Sequence, residues 1–176
     1  LEATVSLRAG RKIRPAPATP EKEHGQSRIT SCPGDIERAE RLREVLAALL
    51  EINNVVPIII EGKRDASALR HLGFAGEIIT LHRGQNLYDF SEEIIENHPK
   101  VVLLLDWDPK GEQLTRALEG HLKGHFEEFS PFREVIKILC QKDIKDIEGI
   151  PSLLKRLEGM AGISGILSDE RAGQQG

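Results

Sequence analysis

Two short stretches, Val55-Val56-Pro57-Ile58-Ile59-Ile60 and Val101-Val102-Leu103-Leu104-Leu105, are apolar at every position. A strand with one wet face alternates apolar and polar residues, whereas an unbroken apolar run, largely β-branched in the first case, suits a strand covered on both faces. Such strands belong to parallel sheets, and parallel strands need crossover helices. The intervening sequence supplies them. The pattern predicts strands at Val55–Ile60, Glu77–Leu81 and Lys100–Leu105, and helices at Lys63–Leu72 (closed by Gly73), Leu87–Asn97 and Pro109–Leu122. Strands alternating with helices imply βαβ units and an α/β fold with a small parallel sheet between helical layers.

Flanking elements complete the domain. Ile36, Ala39, Leu42, Leu46, Leu49 and Leu50 recur mostly at three- and four-residue steps, so Asp35–Asn53 reads as a helix capped by Asp35 and stopped at Asn53-Asn54. Pro131–Gln141 reads as a helix with Ser130 as its cap, Pro151–Glu158 as a last short helix, and His125–Phe129 as a weak fourth strand. The expected organisation is a flexible basic tail at residues 1–33, one domain at 34–160 with its core at 55–124, and a flexible end at 161–176. Residues 1–33 hold six Lys and Arg against three Asp and Glu, but the rest of the chain holds 18 against 25. A body this acidic lacks the broad basic face of a typical nucleic-acid binder, so polyanion contact must rest on a local patch or on a cation that offsets clustered carboxylates. No apolar run approaches the roughly 20 residues that span a bilayer. Without an apolar leader at Leu1–Val5, and with Cys32 and Cys140 in no CxxC or zinc spacing, the expectation is a cytoplasmic chain with free thiols.

Ligands of open α/β sheets sit beyond the carboxyl ends of the strands. The first apolar strand runs into Glu61-Gly62-Lys63-Arg64-Asp65 and the third into Asp106-Trp107-Asp108-Pro109-Lys110-Gly111. If the backbone stays extended, Asp106 and Asp108 project to one side and Trp107 to the other. Carboxylates side by side at a dry edge repel and need a proton, a basic partner or a hard cation, and magnesium suits them. Blander roles stand beside these. Asp108 before Pro109 is also a helix cap, Glu61 can pair with Lys63 or Lys110, and Trp107 reads first as a packing residue and second as a base-stacking one. A phosphate-loop nucleoside triphosphatase is excluded, because Gly62-Lys63 has no glycine-rich loop before it.

Taken together, the two motifs resemble the Toprim domain, over roughly Val55 to Gly124. This domain is shared by topoisomerases, bacterial-type primases, OLD-family nucleases, the recombination mediator RecR and the 5S ribosomal RNA maturation nuclease. The wording Ile60-Glu61-Gly62-Lys63-Arg64-Asp65, with Ala68-Leu69 and Leu72-Gly73 after it, looks closest to the maturation nuclease and to small single-domain Toprim proteins of archaea and bacteria. The resemblance implies a Toprim-like, Rossmann-like three-layer fold. It makes Glu61 a general acid or base or an extra metal ligand, and Asp106 and Asp108 the magnesium-binding aspartates. Gly111 matches the glycine that opens the next helix. In this reading Glu61, Asp106 and Asp108 form both the catalytic and the metal site, with Mg²⁺ replaceable by Mn²⁺. Lys63, Arg64, Arg83 and Lys110 would face phosphates. The implied activity is magnesium-dependent hydrolysis of RNA or DNA phosphodiesters. The alternatives are a non-catalytic magnesium-dependent binder of nucleic acid or nucleotide and, more weakly, a primase-like nucleotidyl transferase. The only Tyr, Tyr88, falls on the second crossover helix, which argues against a topoisomerase.

Overall fold

The computed structural model describes residues 33–81, 84 and 86–169, the side chains of 33 and 160–169 excepted. Residues 1–32 of the expected tail and residues 170–176 of the expected flexible end lie outside the described residues; Pro33 belongs to the first helix and 161–169 to the last. Nine elements follow in order: α1 (Pro33–Asn53), β1 (Ile58–Ile60), α2 (Lys63–His71), β2 (Ile78–Thr80), α3 (Leu87–Asn97), β3 (Val102–Leu103), α4 (Pro109–His121), α5 (Ser130–Cys140) and α6 (Ile150–Asp169). The three strands form one parallel sheet in the order β2-β1-β3, with Ile58 opposite Ile78 and Val102.

The unbroken apolar runs do what their pattern requires. Successive side chains of a strand leave on opposite faces. Ile58, Ile60, Val102 and Leu104 enter one core with Leu42, Leu49, Ile136 and Leu157, from α1, α5 and α6. Ile59, Val101, Leu103 and Leu105 enter a second core with Phe90, Ile94, Leu118 and Leu122, from α3 and α4 or their ends. The sheet is therefore the middle of three layers, and every strand residue of β1 and β3 is buried.

Several expected boundaries move, each for a local reason. The first strand begins at Ile58 and not at Val55, because the backbone N–H groups of Val55 and Val56 still donate to the Ile52 carbonyl at the end of α1, leaving Val55 85% exposed. Strand β3 keeps only two ladder residues, although the Leu104 N–H still reaches the Ile59 carbonyl. His125–Phe129 is a series of turns and not a strand; its His125 carbonyl accepts the Val101 N–H just before β3, and Phe126 packs in the second core. The last helix continues to Asp169, well past Glu158. Gly73 closes α2 at φ 98°, a conformation that a side chain disfavours.

Candidate functional site

Beyond the carboxyl ends of the strands the chain leaves an open cleft of about 1050 Å³. Its walls come from three places: Glu61 to Asp65 after β1, Thr80 and Leu81 at the end of β2, and Asp106 and Lys110 after β3. Leu87 and Leu114 add an apolar side, and Glu148 reaches in from the loop before α6.

Glu61 sits where β1 ends against the start of α4. Its side chain is 13% exposed, and Oε2 accepts a 2.7 Å bond from Lys110 Nζ. The other oxygen, Oε1, is buried and has no hydrogen-bond partner among the described residues. Gly111 makes this approach possible. A Cβ built there would lie 2.2 Å from the Asp106 carbonyl oxygen and 2.8 Å from Glu61 Oε1. A glycine at this step lets the Asp106 turn and the Glu61 carboxylate close onto the helix.

Asp106 is half-buried at the same edge, and its Oδ1 accepts the Ile147 N–H at 2.9 Å. Burial raises its carboxyl to about 7 against the opposing Ile147 bond, and the charges of Asp65, Glu61 and Asp146 push the same way. Asp65 is raised as well, first by burial, then by Glu61, Glu148 and Asp146, while the Gly62 N–H on its Oδ2 lowers it. The cleft edge is thus a gathering of acids around the buried Asp65 and the half-buried Asp106.

The other expected site residues separate into groups. Asp108 does not turn into the cleft: its Oδ1 accepts the Gly111 N–H at 2.6 Å and caps α4, with Pro109 as the first helical residue. The backbone leaves the sheet ladder at Leu103, so strict alternation cannot carry Asp106 and Asp108 to one point. Trp107 is buried in the α1–α5–α6 core, its indole N–H on the Ile144 carbonyl at 2.8 Å, and offers no face to a base. Lys63 and Arg64 are exposed on the cleft rim, Arg64 3.8 Å from Glu148. Arg83 lies outside the described residues. Sequence patterning passed over Asp146, Glu148, Thr80 and the leucines, and left Asp65 without a role. Asp65 stands within the Glu61–Asp65 motif and was open to detection; Asp146 and Glu148 reach the edge only through folding of the loop between α5 and α6.

The donor chemistry suits a hard divalent cation. Magnesium takes one or two carboxylates and keeps several waters, and Glu61 presents next to the Asp106 turn a buried oxygen that has no partner among the described residues. Among the described residues, no three His, Cys, Asp or Glu side chains group closely enough to hold a metal ion, so the donor set from this chain is smaller than the expected trio of Glu61, Asp106 and Asp108. No described helix is long and apolar enough to cross a membrane.

No protein-family model matches the chain. A solved structure of a putative protein from Aquifex aeolicus is similar at TM-score 0.47 and 27% identity, covering 60% of this chain and 94% of that one. Curated relatives are closer in sequence. The UPF0292 protein of Methanosarcina barkeri is 37% identical over 127 residues, spanning 69% of this chain and 85% of its own. Its counterpart in Methanosarcina acetivorans is 34% identical, over 73% of this chain and 90% of its own. The UPF0292 protein of Pyrococcus horikoshii is 36% identical, over 69% and 90%. With this identity maintained across most of the relatives' length, the chain belongs to the UPF0292 family.

Proposed function

We propose that the cleft is a Toprim-like site for magnesium-dependent hydrolysis of nucleic-acid phosphodiesters. The observation that carries the reading is Glu61: a carboxylate oxygen buried without a partner among the described residues, at a sheet edge where Asp106 is already crowded by acids. Leaving such an atom unsatisfied costs about 1–3 kcal/mol, a cost that a bound cation or a transferred proton removes. When bound, a divalent cation supplies Lewis acidity and charge neutralisation. In this reading Glu61 and Asp106 would hold it, and the Glu61 carboxylate would take or return a proton. Lys63 and Arg64 stand on the rim to meet phosphates, and Lys110, 73% exposed on the other side, has the reach to do the same.

A second reading is favoured by one observation: Asp108 is engaged as the cap of α4, which leaves a reduced donor set. In that reading the domain binds nucleic acid or nucleotide with magnesium and does not cleave it. Incubation of end-labelled RNA and DNA with Mg²⁺ or Mn²⁺, using the parent, Asp106→Asn and Glu61→Gln, separates the two. Cation-dependent cleavage lost in both variants supports hydrolysis. Cation-dependent retention without cleavage supports the binder, and neither effect removes both readings.

A further inference from the structure

Among the described residues, the one buried cationic side chain stands outside the lining of the cleft. Arg133, on α5, is 3% exposed. Its Nε donates to the Leu105 carbonyl at 2.9 Å and its Nη2 to the Asp106 carbonyl at 2.7 Å. Nη2 also meets Glu112 Oε1 at 3.1 Å, and Nη1 meets Glu134 Oε1 at 3.0 Å. Lys137 holds the same Glu112 oxygen at 2.7 Å. Strand β3 is an edge strand, so the chain leaving it has no sheet neighbour on its outer side. The guanidinium fork takes that neighbour's place for two successive carbonyls and ties them, through Glu112, to the first turns of α4. A lysine has no such planar fork, and an apolar residue of similar volume is often no less stable than a buried ion pair.

We propose that Arg133 is a positioning residue for the Asp106 turn, holding its backbone so that the Asp106 carboxylate meets the Ile147 N–H on one side and the cleft on the other. The inference rests on the cleft being a cation site, and its consequence there is that Arg133 sets cation affinity without touching the cation. Groups that orient metal ligands from behind typically contribute 10–100-fold in affinity.

The test uses the full chain, with Arg133→Lys, Arg133→Met and, as a stability control, Ile136→Ala, a fully buried core residue one turn further along α5. Three readouts are taken: Mn²⁺ binding by paramagnetic resonance, hydrogen exchange of the Ile147 amide, and emission of Trp107, the sole tryptophan. Arg133→Lys is expected to weaken Mn²⁺ binding at least about tenfold, to speed Ile147 exchange by a similar factor, and to shift Trp107 emission. Ile136→Ala is expected to lower the melting temperature while leaving Mn²⁺ affinity and the ratio of Ile147 to Ile60 exchange unchanged. Unchanged Ile147 exchange in both Arg133 variants, or an equal change in Ile136→Ala, overturns the positioning role. If the parent binds no Mn²⁺, the cation-site reading fails, and Ile147 exchange alone decides whether Arg133 holds the turn.

Discussion

Replacing Asp106 by Asn keeps the shape and removes one charge from the acidic edge, so it weighs a functional carboxylate against a structural one. The Asn carbonyl oxygen can still accept the Ile147 N–H that Asp106 Oδ1 accepts at 2.9 Å. What changes is the cost of ionising a half-buried group whose carboxyl is raised from 3.8 to about 7, by burial first and then by Asp65, Glu61 and Asp146. The folded chain binds this proton more tightly than the unfolded chain, so between about pH 4 and pH 7 the parent loses stability as pH rises, and above that the loss is complete. Taken whole, a shift of this size corresponds to about 4 kcal/mol; solvent screening at a half-buried edge reduces it to roughly 1–2 kcal/mol. Metal-free Asp106→Asn is therefore expected to be more stable than the parent by that amount at pH 8 and nearly equal to it at pH 4. In a chain of this length that gain is a melting temperature higher by about 2–4 °C per kcal/mol. Magnesium is expected to raise the parent's midpoint by mass action and the variant's much less. Thermal unfolding at pH 4, 6 and 8, with and without Mg²⁺, checks each part. A variant less stable than the parent at pH 8, or a difference independent of pH, refutes the reasoning: Asp106 would then be a structural acceptor and not a strained carboxylate.

Other consequences follow from contacts elsewhere. Gly111→Ala places a Cβ against the Asp106 backbone and Glu61 Oε1, and is expected to destabilise the fold by about 2–4 kcal/mol in urea titration; a neutral result would mean that the turn and α4 separate easily. Trp107→Phe leaves the half-buried Ile144 carbonyl without its indole partner, an expected loss of about 0.5–1.5 kcal/mol by the same measurement. Cys140 is fully buried, and its thiol is pushed up to about 12, first by burial. Peptide mapping after iodoacetamide treatment at pH 8 should find Cys140 unmodified in the folded chain and alkylated in denaturant, whereas rapid labelling of the folded chain would contradict the packing of α5 against α1.

The elements of the domain were legible because their signals are local. Ile58-Ile59-Ile60 buries alternate side chains in two different cores, and only an uninterrupted apolar run satisfies both. Helices α3 and α4 begin where Leu87 and Pro109 announce them, and Asp108 caps α4 as its position before proline allows. That Glu61 and Asp106 line one cleft was legible too, since a parallel sheet carries the ends of both strands to the same edge. The chemical state of that edge was not. Whether Asp108 joins Asp106 or caps a helix depends on where the ladder stops, and both outcomes fit the same six residues, Asp106 to Gly111. Arg133 and Ile147 meet the Asp106 turn across 27 and 41 positions of chain, and Asp146 and Glu148 arrive with the same distant loop. No periodicity or motif links residues so far apart. Their meeting depends on the docking of α5 and α6 against α1 and the sheet, and that docking is driven by apolar burial, which is indifferent to the polar groups it brings together.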